Sequence, residues 1–257
     1  MEMDQEQPVR RNDIDFSFVI PAFNEESRIR STLEQLANFL SEMPLSWEII
    51  VVDDGSSDAT SAVVSTCAET MESIKLESRP HKGKGGAVRH GMLTASGRYR
   101  FLCDADLAMP IQFLNAFIQN IQKDLDIVIG SRQRPGARRF NEPITRHVYG
   151  RVFNWIVRML AVRGFQDTQC GFKCFRRDAG RQIFARQRIW RFSFDVELLW
   201  IARRLGYRVA EVPVTWVNDP SSRVHPLRDS LRMLVDLVRV RYNDLRGVYQ
   251  FDEDSPV

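Results

Sequence analysis

Residues 48–70 read EIIVVDDGSSDATSAVVSTCAET, and the change of character inside that stretch decides the fold class. EIIVV at 48–52 is a short apolar run of the kind that forms a buried strand. It stops at Asp53 and Asp54, followed by the turn formers Gly55, Ser56 and Ser57, and helical spacing takes over at 58–70. The same sequence of events recurs on both sides. FSFVI at 16–20 runs into PAFNEE at 21–26 and a helical period over 26–42. YRFLC at 99–103 runs into DADLAMP at 104–110 and a period over 110–122, where Pro110 suits a first helical turn. A further helical period covers 84–95, and DIVIG at 126–130 reads as another strand. Strands alternating with crossover helices predict an α/β fold whose largely parallel sheet is covered on both faces. Ligands of such sheets bind beyond the carboxyl ends of the strands. Three polar motifs stand at three of those ends.

Beyond residue 130 the pattern loosens. An arginine-rich loop at 131–142 precedes a helical segment over 144–163 that mixes Phe153, Trp155, Ile156, Met159 and Leu160 with Arg146, Arg151 and Arg158. A strand at 171–175, helices at 178–185 and 194–205, and a strand at 207–214 follow. A last helix over 226–245 combines aliphatic residues with Arg228, Arg232, Arg239 and Arg241. Residues 1–13 are polar and expected to be disordered, and 251–257 form an acidic tail. The two basic amphipathic helices suit an anionic membrane surface, with Trp155 as an interfacial anchor. Docking of one face onto the sheet is the competing use.

Charge divides the chain in two. Residues 1–130 carry 12 basic and 20 acidic side chains, a net of −8, whereas 131–257 carry 24 and 13, a net of +11. Only five of the 36 basic residues are lysines, and arginine is the residue that grips phosphate through two parallel hydrogen bonds. The basic half therefore predicts an anionic partner; no RNA-recognition signature accompanies it, so nucleic acid is not expected. No stretch of about 18 apolar residues occurs, so no span of a bilayer is expected. Nor is there a charged-then-apolar leader at the start. The expectation is a cytoplasmic protein, held peripherally at the cytoplasmic face of a membrane. Cys67, Cys103, Cys170 and Cys174 show neither a disulfide framework nor zinc-ligand spacing and read as buried thiols.

Three motifs carry chemistry. Asp104 and Asp106 bracket Ala105 at a strand end, where a turn can aim both carboxylates at one hard cation, Mg²⁺ or Mn²⁺, completed by diphosphate oxygens. Asp53 or Asp54 could accept a hydrogen from a nucleobase, while Ser57 or Asp58 caps the next helix. His81-Lys82-Gly83-Lys84-Gly85-Gly86 is basic and glycine-rich, but it lacks the hydroxyl of a Walker loop and the glycine spacing of a dinucleotide fingerprint. That argues against a P-loop NTPase and against a nicotinamide enzyme. It leaves a loop entering a helix N-terminus, a place that favours a diphosphate.

PAFNEE, VVDDGSSDAT, KGKGGAVRHG, DADLAMP, GSR at 130–132, DTQCGFKCF at 167–175, FDVELL at 194–199 and EVPVTW at 211–216 occur in the order seen in family 2 glycosyltransferases. The chain resembles the dolichyl-phosphate glucosyltransferase and mannose synthase branch of that family over about residues 14–245. The last three motifs resemble the glucosyltransferase members most. The resemblance implies a GT-A fold, Rossmann-like, with a mostly parallel sheet and peripheral amphipathic helices. Its transferase domain would span 14–225, followed by a C-terminal amphipathic helix at 226–250. It implies inverting transfer of a hexose, first choice glucose from UDP-glucose, to a polyprenyl or dolichyl phosphate. A GDP-mannose donor, or a soluble or polysaccharide acceptor, is the alternative.

Residue by residue, the resemblance implies that Pro21, Ala22, Asn24 and Glu25 frame the nucleoside, with Asp53 and Asp54 near the base. Lys84 and Gly85 would meet the diphosphate; Asp104, Ala105 and Asp106 would hold nucleotide and metal. Mannose synthases carry a glutamine two residues past the second aspartate. Ala108 stands there in this chain, which argues against a mannose synthase. A lipid phosphate is already ionised and needs a cationic clamp more than a general base. Arg132, Arg146 and Arg223 match the regions that hold it. Asp167 and Gln169 would line the sugar or acceptor pocket. Asp195 and Glu197 could bind sugar hydroxyls, act as a base or pair with arginines.

Overall fold

The computed structural model describes residues 14–121, 123–141, 164–217 and 226–250. Seven strands form one sheet. In chain order they are β1 (Phe16–Ala22), β2 (Trp47–Asp53), β3 (Ile74–Ser78), β4 (Tyr99–Leu102), β5 (Ile127–Ser131), β7 (Lys173–Arg176) and β8 (Val209–Pro213). Their spatial order is β3-β2-β1-β4-β7-β5-β8. β7 runs antiparallel to both neighbours, β4 and β5; every other pairing in this sheet is parallel. The short β6 (Arg138–Phe140) and β9 (Thr215–Val217) form a second, parallel pair. The expected α/β architecture with a mostly parallel sheet is therefore present.

Alternation along the strands builds two cores. Phe16, Phe18 and Ile20 of β1, with Ile49 and Val51 of β2, face α1 (Ile29–Ser41), α2 (Thr60–Thr70) and α4 (Leu114–Ile121). Val19, Ile50, Val52, Ile127 and Ile129 face the other way, toward α3 (Lys84–Thr94), α5 (Arg177–Arg186), α6 (Phe194–Arg204) and α7 (Pro226–Leu245). Successive strand side chains point to opposite faces, so a run that is apolar throughout must be buried on both. α1 shows the complementary pattern: Ile29, Leu33, Leu36, Ala37 and Leu40 recur at helical spacing and are buried.

The helix expected over 110–122 opens instead with a single 3₁₀ turn at Ile111–Phe113 before α4 begins, with Pro110 as the residue before it. The strand expected at 171–175 starts two residues later, at Lys173, because Gly171 is spent on a bend against Asp104. The segment 144–163, with Arg146 and Trp155, lies outside the described residues, as do Arg223, 1–13 and 251–257. α7 is no appendage. Met233, Leu237 and Val240 are buried against the α6 side of the sheet, and Tyr249 beyond it is buried as well.

Candidate active site

β2, β1 and β4 lie side by side and parallel, so PAFNEE, DDGSSD and DADLAMP emerge along one edge of the sheet. The first two are stitched together. Asn24, held at φ +54°, donates its backbone N–H to Ser56 Oγ at 2.8 Å and accepts from Ser57 N at 2.8 Å through its side chain. A positive φ is uncommon outside glycine, and asparagine is among the few residues enriched there. Glu25 N donates to Thr60 Oγ1 at 2.7 Å, and the Glu25 carboxylate pairs with Arg28 at 2.8 Å. Pro21 and Ala22 are the last residues of β1 and carry these loops.

Both aspartates of the DDG turn are buried and hold backbone. Asp53 accepts from the N–H of Ser56 at 3.1 Å and from the hydroxyls of Ser56 and Ser61. Asp54 accepts from Lys82 N at 2.9 Å and Gly83 N at 2.8 Å, and His81 Nδ1 lies 2.8 Å from it. Asp54, expected near a nucleobase, thus anchors the glycine-rich loop at 81–86. Asp58, the residue before the N-cap Ala59, accepts from Thr60 N at 3.0 Å and so satisfies an N–H of the first turn of α2.

That loop is pressed against residues 187–190. A Cβ on Gly83 (φ +100°) would fall 2.7 Å from Trp190 O, and one on Gly85 would fall 2.8 Å from Ile189 O. Gln187 Nε2 donates to Gly85 O at 2.8 Å. The 187–190 segment is fixed in turn by Glu197, which is fully buried. It accepts from Arg188 N at 3.0 Å, Ile189 N at 2.8 Å and the Tyr249 hydroxyl at 2.6 Å. Burial raises the Glu197 carboxyl above its usual range, and these donors offset only part of that. Glu197 is therefore a scaffold for the loop, not a sugar ligand or an arginine partner.

Lys84 opens α3 and reaches Asp104 Oδ1 at 2.6 Å. Burial works against its charge, but Asp104, Asp195 and Asp106 outweigh it and hold the ammonium above its ordinary pKa. Asp104 and Asp106 sit on a turn closed by Leu107 N donating to Asp104 O at 3.2 Å, with Leu107 itself at φ +44°. Ala108 N donates to Asp106 Oδ1 at 3.0 Å. The turn is tied to the fold at two carbonyls. Ala105 O accepts from Thr32 Oγ1 at 2.6 Å, and Ala108 O accepts from Val217 N at 2.9 Å.

Gly171 faces Asp104 so closely that a Cβ there would lie 1.9 Å from Oδ2. Cys103, Asp104, Ala108, Gly171, Phe172 and Trp216 line a cleft beside this carboxylate. Among the described residues no group of three or more His, Cys, Asp or Glu side chains gathers to hold a metal. Two hard carboxylates kept clear by a glycine fit a divalent cation whose other ligands are diphosphate oxygens and water.

Asp195 is buried and pairs with Lys173, itself fully buried, at 2.6 Å. Its partner is thus a lysine of the QCGFK motif, not one of the arginines. Burial pushes the Asp195 carboxyl up, with Lys173 and Lys84 pulling against it. Asp167 receives Arg132 in a fork, Nε to Oδ2 at 2.7 Å and Nη2 to Oδ1 at 3.0 Å, and also accepts from Arg132 N and Gln169 N. Burial opposes ionisation of Asp167, but the Arg132 charge and these bonds hold its pKa down at about 2. The guanidinium also lies over the Trp216 ring, 5.5 Å from its centroid. Glu211 steadies the segment beneath, accepting from Gln166 N at 3.0 Å and Asp167 N at 2.9 Å. Gln169 Nε2 lies 3.7 Å from Met233 Sδ. The roles of Lys173, Glu211 and Gly171 were not drawn from the sequence, although each lies in a motif it singled out. The four cysteines are free and buried; burial lifts the Cys170 thiol to about 11, so none is a ready nucleophile.

Residues 17–184 match the sequence model of glycosyl transferase family 2. The chain is 38% identical to a dolichyl-phosphate beta-glucosyltransferase of Dictyostelium discoideum, over 93% of this chain and 79% of that protein. It is 35% identical to the dolichyl-phosphate beta-glucosyltransferase of Saccharomyces cerevisiae, over 93% and 77%. Among solved structures, glucosyl-3-phosphoglycerate synthase from Mycobacterium tuberculosis, in complex with Mn²⁺, UDP-glucose and phosphoglyceric acid, superposes with a TM-score of 0.62. That likeness comes at 19% identity and covers 88% of this chain and 79% of the other.

Proposed function

Since the chain belongs to glycosyl transferase family 2, we propose that it transfers glucose from UDP-glucose to a dolichyl or related polyprenyl phosphate with inversion at the anomeric carbon. The observation that carries this reading is the Lys84–Asp104 pair at the edge where β2, β1 and β4 end, next to Asp106. A fixed cation and two carboxylates at the carboxyl ends of a parallel sheet are what a nucleoside diphosphate leaving group requires. The relatives named above supply the sugar and the acceptor. Mn²⁺ and UDP-glucose in the structural neighbour are consistent with the donor, and Ala108 in place of glutamine favours glucose over mannose.

In this reading Pro21, Ala22, Asn24 and Glu25 frame the nucleoside, and Asp53 and Asp54 hold the turn and loop that close around it. Gly85 lets the backbone of α3 approach the diphosphate. Lys84 stays protonated and stabilises the negative charge that develops on the diphosphate oxygen as the sugar–phosphate bond breaks. A bound Mg²⁺ or Mn²⁺, held by Asp104 and Asp106 on either side of Ala105, would neutralise further charge on the departing diphosphate. The acceptor phosphate arrives ionised, so no side chain must remove a proton. Arg132, made rigid by Asp167, would orient it together with Arg146 and Arg223, with Gln169 and Asp195 lining the pocket. The transferase unit would span 14–225, with 226–250 as an accessory helix.

Incubating the protein with UDP-glucose, GDP-mannose and a short polyprenyl phosphate, with and without a chelator, tests the proposal. Lipid-linked glucose formed only from UDP-glucose and only with metal is the expected product. Tighter binding of GDP than UDP by calorimetry, or transfer in excess chelator, overturns the donor or the metal assignment respectively.

A further inference from the structure

Lys173, the first residue of β7, is fully buried. Lysine is almost never buried to that degree unless its charge is met. Here Nζ donates to Asp195 Oδ1 on α6 at 2.6 Å, and it also donates to the backbone oxygen of Cys170. The first bond neutralises the charge. It does not explain why an ion pair stands here at all, since an apolar pair of similar volume is often equally stable in a protein interior. The second bond shows what the ammonium holds.

Cys170 belongs to the loop 167–171, which touches both sides of the candidate active site. At its start Asp167 takes Arg132 in the fork, accepting from Nε at 2.7 Å and from Nη2 at 3.0 Å. At its end Gly171 is seated against Asp104, so closely that a Cβ there would lie 1.9 Å from Oδ2. In between, the Cys170 sulfur packs on Gly130, where a Cβ would fall 2.7 Å from Sγ. The flanks of the loop are tied to neighbouring strands: Asp167 N donates to Glu211 at 2.9 Å, and Phe172 O accepts from Gly130 N at 2.9 Å. Lys173 ties the stretch between them. Four peptide units span at most about 14 Å, so a displaced Cys170 carbonyl is felt at Arg132 and at Asp104 alike.

We propose that Lys173 is a positioning residue for the transfer reaction: its ammonium fixes the 167–171 loop and so sets the spacing between Asp104 on the donor side and Arg132 on the acceptor side. Lys173 itself reaches neither substrate and acts through Cys170 O. Asp195 is its counter-ion and keeps the buried ammonium charged and aimed at the loop. The roles of Asp104 and Arg132 rest on the transferase reading, whereas the fixing of the loop does not. A pair that served stability alone could be exchanged for two apolar side chains with the loop left in place. A positioning ammonium could not.

Two measurements on the full chain test this, one of which needs no substrate. Lys173→Met keeps most of the side-chain volume and removes the ammonium. By hydrogen exchange, the amides of Arg132 and Gln169, both donors to Asp167, should exchange about tenfold faster in this variant, while those of β1 and β2 stay at wild-type rates. At saturating UDP-glucose and polyprenyl phosphate, kcat should fall by roughly a hundredfold, as for a catalytic group moved by about 1 Å. The Kd for UDP should stay close to wild type, because the nucleoside loops are carried by β1 and β2. In a Gly171→Ala background the same substitution should cost less than about tenfold, since the loop is already displaced. Where Lys173→Met alone fails to fold because Asp195 has lost its cation, Lys173→Met with Asp195→Leu removes both charges. That pair is read by hydrogen exchange, because Asp195 reaches the loop through Lys173. Wild-type exchange at Arg132 and Gln169 in either variant, wild-type kcat in Lys173→Met, or rate losses that multiply in full with Gly171→Ala overturn the proposal. Wild-type protein that makes no lipid-linked glucose overturns the transferase reading instead, and the exchange rates still decide whether Lys173 fixes the loop.

Discussion

At Asp104 the geometry is decided by an absent side chain. A Cβ on Gly171 would lie 1.9 Å from Asp104 Oδ2, so Gly171→Ala must move the carboxylate, the turn or both. A displacement of about 1 Å in a catalytic group costs on the order of a hundredfold in rate. Gly171→Ala should therefore lower kcat/KM by about that factor while thermal melting stays close to wild type; an unchanged kcat/KM would remove Gly171 from the site. Asp106→Ala should abolish transfer and leave the fold intact, as judged by circular dichroism, because Asp106 is exposed at the surface. The Arg132–Asp167 pair makes a prediction about stability. Its folded pKa of about 2 lies below the ordinary aspartate value, so its contribution is present above about pH 4 and is lost as pH falls toward 2. The expected share is about 2 kcal/mol. Urea unfolding at pH 6 and pH 3 should show that Asp167→Asn has a smaller pH dependence than wild type by about 1 kcal/mol, half of that share, because pH 3 lies midway between the unfolded and folded pKa values. Sequence reading reached these residue types but not their partners. DTQCGFK was marked as one motif, yet nothing in it says that Asp167 meets Arg132, Gly171 meets Asp104 and Lys173 meets Asp195, since all three contacts are made across the fold.

Among the elements, those with strong local signals were the legible ones. β1, β2, β4 and β5 are apolar runs ended by turn residues, and α1 and α2 follow β1 and β2, so each of these was read to within a few residues, as was α3. β3 was missed because IKLES alternates weakly, with Ile74 buried but Lys75 and Ser78 exposed at the sheet edge. β6 and β9 are three residues each and pair across more than 70 residues of chain, a contact with no local signature. The antiparallel run of β7 was likewise invisible, because strand direction is set by which neighbours are available. α7 was read as an amphipathic helix, but its attachment through Tyr249 to Glu197 on α6 was not. Tyr249→Phe tests that attachment. Glu197 keeps its backbone donors from Arg188 and Ile189 and loses one hydroxyl, so the loss should be about 1–2 kcal/mol by urea denaturation. A cost below a few tenths of a kcal/mol would mean that the hydroxyl bond does not hold the chain after α7 to α6.

Across the whole molecule the division of charge becomes a division of labour. The acidic first half carries the strand-end loops and the aspartates of the DAD turn, and the arginine-rich second half carries Arg132 and Arg146. Such an arrangement suits a reaction between two anions, because the donor diphosphate and the acceptor phosphate would repel each other unless each met its own cations. The buried carboxylates nearest the site are already committed. Asp195 is bound to Lys173, and Glu197 to three backbone and side-chain donors, which leaves neither well placed to take a proton from a hydroxyl. If the nucleophile is a pre-ionised phosphate, Arg146→Ala should reduce transfer by roughly ten- to a hundredfold at saturating UDP-glucose, as expected for one lost charge-assisted contact worth about 1.5–3 kcal/mol. UDP affinity should not change. Arg132→Lys is the better probe at the second position, since it keeps a charge opposite buried Asp167 and loses the fork, whereas alanine would leave that carboxylate unpaired. Asp195→Asn should cost transfer much less than Arg146→Ala, and it should be read together with its melting temperature because Lys173 stays buried. The rate should also be nearly flat in pH above about 7, where a phosphate monoester with a second pKa near 6 is fully ionised. A transferase that attacks with a hydroxyl reverses this order. Near-normal transfer by Arg146→Ala and Arg132→Lys, alongside an inactive but folded Asp195→Asn, would place a general base at Asp195 and a hydroxyl in the acceptor site.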